Sequence, residues 1–84
     1  MKILAIDQGK FNSMCCFYET QTQKYRLQTV ATTRVYLTTV FNNHEIDQVV
    51  MEAFGPSGWI SDLCQELGLK TLVCSTNDAA WEWN

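Results

Sequence analysis

Two acids stand where chemistry can use them. Asp7 closes the apolar run "KILAID", and Glu52 directly follows "QVVM", 45 positions further on. Each carboxylate ends a stretch that reads as a buried strand, because neither run leaves a polar face. An acid in such a place is commonly only a solvated strand end or a turn former. Two of them become chemistry if the fold brings both to one edge of one sheet. Adjacent strands lie about 4.8 Å apart, near enough for both side chains to reach one cation. Carboxylates that close repel unless a positive ion sits between them. Hard oxygen ligands with few nitrogens or sulfurs favour Mg²⁺ or Mn²⁺ over zinc, and such ions activate a water or hydroxyl and stabilise the leaving oxygen in phosphodiester cleavage.

Other residues invite a role and mostly have a plainer one. Lys10 follows the Asp-x-Gly turn and could meet a phosphate near a metal, although a solvated loop lysine is the simpler reading. His44, among Asn and Glu, reads as a helix cap or surface residue, since no second histidine exists to share a metal. The four cysteines form no C-x-x-C pair; Cys15, Cys16, Cys64 and Cys74 read as reduced thiols packed in apolar stretches. "AFGPSG" lacks the lysine and spacing of a P-loop and reads as a turn beside Glu52. Trp59 anchors a helix on the sheet. Trp81 and Trp83 need a cover, either the open side of the sheet or a second copy of the chain; base stacking is the poorer reading.

The elements that must position the acids follow from the pattern. Lys2–Asp7, Ser13–Tyr18 and Tyr25–Ala31 read as strands, with "ETQTQK" as a hairpin loop between the last two. Thr32–Asn43 is β-branched, yet Tyr36 with Val40 and Leu37 with Phe41 make i,i+4 pairs, and Thr32 or Thr33 can cap a helix. Asp47–Met51 is a fourth strand. Trp59, Ile60, Leu63, Cys64 and Leu67 recur at helical spacing, with Gly68 as a left-handed cap and Leu69 closing it. Thr71–Cys74 is a fifth strand. The order β-β-β-α-β-α-β is that of the ribonuclease H-like fold, a mixed α/β sheet whose later strands run parallel to the first. In that fold the fourth strand lies beside the first, so Asp7 and Glu52 should emerge together. The complete fold adds at least one further helix.

Composition sets the bounds. Eighty-four residues, 46% apolar and 18% charged, fit a single small globular domain. No apolar run approaches the roughly 20 residues that cross a bilayer, and "MKILAIDQGK" is too short and too soon acidic for a signal peptide, so a cytoplasmic location is expected. A net charge of −3 counts against strong nucleic-acid binding by these residues alone.

"IDQGK" near the start and "MEAFGPSGWISDLCQELG" about 45 residues later resemble the amino-terminal part of the DEDD-type insertion-sequence transposases, which carry a RuvC-like nuclease domain. The likeness runs over nearly the whole chain, including "TNDAAWEWN", and the Met-Glu-Ala-x-Gly-Pro-x-Gly-Trp piece is its most specific part. The resemblance implies that Asp7 and Glu52 are the first two acids of a metal-binding quartet. Its last two acids belong to a Thr-Asp-x-x-Asp-Ala stretch that this chain lacks, as it lacks the family's carboxy-terminal domain with its strand-exchange serine; nothing around Asp78 matches that stretch. Residues 1–84 are thus expected to be one partial RuvC-like domain, inactive alone, whose full-length parent has DNA, and a structured RNA, as candidate partners. Two other readings compete. One is a non-catalytic folded remnant or self-associating module, including a homodimer. The other is a sugar kinase or actin-like ATPase fragment, because "LAIDQG" resembles their phosphate-binding opening; Lys10 stands where those proteins usually have Thr or Ser.

Overall fold

The computed structural model describes residues 1–52 and 58–74. The order is β1 (Lys2–Asp7), β2 (Asn12–Glu19), β3 (Lys24–Ala31), α1 (Arg34–Asn43), β4 (Gln48–Glu52), α2 (Gly58–Glu66) and β5 (Thr71–Cys74). The expected ribonuclease H-like order is therefore observed, with strand bounds moved by a residue or so; Glu52 is the last residue of β4 rather than the first after it.

The five strands form one sheet in the order β3-β2-β1-β4-β5. The meander β1-β2-β3 is antiparallel, whereas β4 joins the free side of β1 in parallel and β5 joins β4 in parallel. The first strand of the sequence is thus the central strand of the sheet. Its register against β4 is clamped at the bottom, where the Lys2 amide donates to the Asp47 carboxylate at 2.7 Å and the Asp47 amide donates to the Lys2 carbonyl at 2.8 Å.

Strand alternation gives the sheet two unlike faces. Leu4, Ile6, Cys15, Val49 and Met51 point to the side that carries both helices, and pack there with Leu37, Val40, Phe41, Ile60, Leu63 and Cys64. Trp59 is part of this cluster's half-buried margin, as its expected anchoring role requires. Ile3, Ala5, Asp7, Met14, Cys16, Val50, Glu52, Leu72 and Cys74 point to the other side, which no element among the described residues covers. The expectation of four cysteines in the core is accordingly corrected: all four are free, but only Cys15 and Cys64 are buried, while Cys16 and Cys74 are half-buried. Neighbours on a strand face opposite ways, so Cys15 and Cys16 cannot share the core.

Local signals explain the helices. Thr33 caps α1, its hydroxyl accepting from the Tyr36 amide, and His44 closes the other end. Helix α2 ends in a Schellman turn: Gly68 has φ of 74°, its amide bonds the Gln65 carbonyl at 3.0 Å, and Leu69 bonds the Cys64 carbonyl at 2.9 Å.

Candidate metal centre

Asp7 and Glu52 meet at one end of the sheet. The parallel register pairs Ala5 with Val50 and Ile6 with Met51, so the next position sets Asp7 beside Glu52. Both share a face with Ala5 and Val50, which is the open one. Both are exposed and both border one depression of about 450 Å³, floored by Ala5, Cys16 and Val50. Across the sheet at this level runs a row of aligned residues: Thr29, Met14, Asp7, Glu52 and Cys74. The Thr29 hydroxyl donates to the Met14 sulfur at 3.6 Å, which keeps Met14 on this row beside Asp7.

The turn after Asp7 is built tightly. The Ser13 and Thr32 hydroxyls are 2.6 Å apart, Thr32 donates to the Gly9 carbonyl at 2.8 Å, and the Gly9 amide donates to Ser13 at 3.4 Å. Ser13 is the one buried polar residue of the described chain, and this network satisfies it. Gly9 is required for close approach: a Cβ there would collide with the Asn12 carbonyl oxygen. Sequence reasoning saw the Asp-x-Gly turn and gave Thr32 only a candidate capping role, and it missed Ser13, whose only signal was a serine opening an apolar strand.

Gln8, next to Asp7, reaches over to β4. Its side-chain nitrogen lies 3.5 Å from the Glu52 carbonyl, and its Oε1 is buried without a hydrogen-bond partner among the described residues. That oxygen is buried, and Gln8 does not border the depression shared by the two carboxylates. No group of three His, Cys, Asp or Glu side chains among the described residues is arranged to hold a metal. Two carboxylates nevertheless suit Mg²⁺, which typically takes one or two of them and completes its shell with water and substrate phosphate.

The remaining candidates sit elsewhere. Lys10 is exposed in the turn, its ammonium 5.4 Å from the centre of the Phe11 ring, and it does not border the depression shared by the acids. His44 caps α1, as expected, and lies toward the opposite end of the sheet. Most of "AFGPSG", together with Asp78, Trp81 and Trp83, lies outside the described residues.

No protein-family model matches the sequence, and no curated protein matches it. Among solved structures the fold is similar to the catalytic core domain of BIV integrase, with a TM-score of 0.55 and 14% sequence identity. The match covers 90% of this chain and 56% of that one, so the chain spans little more than half of the integrase core's length. At that identity the likeness establishes the ribonuclease H-like fold.

Proposed function

We propose that this chain is the amino-terminal part of a metal-dependent enzyme that cuts or transfers DNA phosphodiester bonds, of the DEDD transposase kind, with Asp7 and Glu52 as its metal-holding acids. One observation carries the reading: the two carboxylates stand side by side on one face, at the ends of adjacent parallel strands. The similarity to an integrase catalytic core supports it, as do the two sequence stretches that resemble those transposases.

On this reading Mg²⁺ or Mn²⁺ binds between Asp7 and Glu52, where it would activate the attacking oxygen and stabilise the leaving one. Asp7 and Glu52 themselves supply negative charge and orientation, and the Gly9–Ser13–Thr32 network fixes the backbone that presents Asp7. Leu72 and Cys74, the strand residues past Glu52 on this face, are uncharged, so on this reading DNA contacts fall mainly to other parts of the parent, as does any contact with a structured RNA. The remaining acids of the quartet would lie there too. These 84 residues should therefore bind metal weakly and cleave nothing alone.

The test is a Mg²⁺ and Mn²⁺ titration followed by NMR. Millimolar metal is expected to shift, or with Mn²⁺ to broaden, the signals of Asp7, Glu52 and Gln8 first. Metal-induced changes confined to other acids would sink the site assignment.

A second reading has its own observation. On β3 the apolar side chains Tyr25 and Leu27 lie on the open face, 67% and 55% exposed, while Lys24 and Arg26 lie on the helix side. A strand that turns its apolar side away from the core suits a module whose open face is covered by another surface, such as a second copy. Sedimentation of the purified chain distinguishes this: a monomer at high concentration argues against it.

A further inference from the structure

At the opposite end of the sheet from Asp7, a second depression of about 330 Å³ opens between the lower ends of β1–β3 and the segment 44–46 that follows α1. Its apolar floor includes Phe17 and Ile46. Its rim is cationic: Lys2, Lys24 and Arg26 line it, three of the six Lys and Arg residues in an acidic chain. Glu19 and Glu45 line it too, but both are engaged. Glu45 pairs with Lys2 at 2.9 Å, and Glu19 accepts from the amino terminus and the Gln21 amide, both at 3.0 Å. Lys24 and Arg26 have no carboxylate partner among the described residues.

Arg26 is nonetheless held in place. Its guanidinium carbon lies 4.8 Å from the centre of the Phe17 ring, and Nη2 is 2.9 Å from His44 Nε2. His44 is itself fixed, stacked on Phe17 with centroids 4.2 Å apart and with Nδ1 2.8 Å from the Val40 carbonyl. A carbonyl only accepts, so Nδ1 carries the proton and Nε2 accepts from Arg26. The guanidinium is thereby oriented by a neutral ring and an aromatic face, with most of its donors unspent. An arginine placed this way matches a phosphate fork to fork, and its plane offers a base a stacking surface. A cavity near 300 Å³ is at the lower end of ligand pockets and suits one nucleotide unit rather than a dinucleotide.

We propose that this depression binds a single nucleotide unit, its phosphate on Arg26 and Lys24 and its base against the Arg26 plane, whether as a free mononucleotide or as one residue of a single strand. The site is separate from the acid pair and stands whether or not that pair holds metal.

The experiment is an amide NMR titration of the whole chain with AMP, adenosine, inorganic phosphate and a ten-residue oligodeoxyadenylate. AMP is expected to move Phe17, Arg26 and His44, with adenosine and phosphate each weaker by about tenfold or more. Arg26→Ala should weaken AMP by about tenfold, Arg26→Lys by less, because the charge stays and the fork is lost. Arg34→Ala, a cation on α1 bound to Glu66, should change nothing. Tighter binding of the oligonucleotide than of AMP identifies a strand as the source; equal or weaker binding identifies the free nucleotide. Undisturbed signals with AMP, a folded Arg26→Ala or Arg26→Lys variant that binds AMP as the wild type does, or phosphate binding as tightly as AMP would each overturn the assignment.

Discussion

At the scale of residues, Asp7 and Glu52 are exposed, so they can be changed without opening the core. Asp7→Asn or Glu52→Gln should leave stability within about 0.5 kcal/mol of wild type, as surface substitutions usually do. Each should lower Mn²⁺ affinity at least about tenfold, since one of two charged ligands is lost. Isothermal calorimetry measures the second effect and urea unfolding the first. Gly9 behaves in the opposite way. Its alanine variant must displace the Asn12 carbonyl, and urea unfolding should show a loss of about 1–3 kcal/mol. The cysteines divide by face. Burial pushes the Cys64 thiol up to about 11 and raises Cys15 as well, so an aromatic disulfide reagent near neutral pH should modify Cys16 and Cys74 and spare the other two until the protein unfolds. Asp7 and Glu52 were legible in the sequence because apolar runs lead straight into them. Ser13 was not, and Thr32 was read only as a candidate cap, because their hydroxyl contact depends on the β2–β3 register, which no single run of letters specifies.

At the scale of elements, the sheet's central pairing depends on a small polar clamp. Asp47 bonds the Lys2 amide and carbonyl at once, and this sets β4 against β1 in the register that aligns Glu52 with Asp7. Asp47→Ala removes the carboxylate half of the clamp, a charge-assisted bond at an exposed position, and should cost about 1–2 kcal/mol in denaturant unfolding. A milder metal titration response would accompany it if register loosens. The α1 segment shows where sequence reasoning had least to work with. Its valines and threonines favour a strand, and what decides the matter is tertiary: Leu37, Val40 and Phe41 fall on one helical stripe against the sheet. By contrast α2 was clear, since five apolar residues at helical spacing and a glycine cap agree with one another. The apolar side of β3 is a feature that its run of letters does not orient: in the sheet Tyr25 and Leu27 face away from both helices.

At the scale of the whole molecule, the pH response follows from four groups, Glu19, Lys2, Cys64 and, in the same direction as Cys64, Cys15. Glu19 is held below the ordinary carboxylate range by the Gln21 amide and the amino terminus. A lowered acid contributes stability above its unfolded pKa, and the contribution fades as pH falls through the folded one. The Lys2 ammonium is raised by its hydrogen bond to Glu45, and the Cys64 thiol by burial, from 9.0 to about 11. Raised groups stabilise below their unfolded values, and that gain is lost as pH climbs through the folded ones. The melting temperature should therefore fall on both sides, in acid below the carboxylate range and in alkali between pH 9.0 and about 11. Calorimetry across that span checks it, and a flat alkaline limb would show that the thiol is not held in the core as described. The fold class was readable from element order alone, because seven elements in that order admit few sheets. The bareness of one sheet face was only partly readable, since it depends on what the sequence does not place there.

The central position of β1 has a consequence for synthesis. The amino-terminal ribbon can zip up as soon as it leaves the ribosome, but one flank of its innermost strand has no mate until forty more residues have followed. Nascent chains would carry that naked flank for seconds at ordinary elongation speeds, a template for neighbours on the same messenger. Translation pauses placed before Gln48 should then raise co-translational aggregation, whereas pauses placed after Glu52 should not.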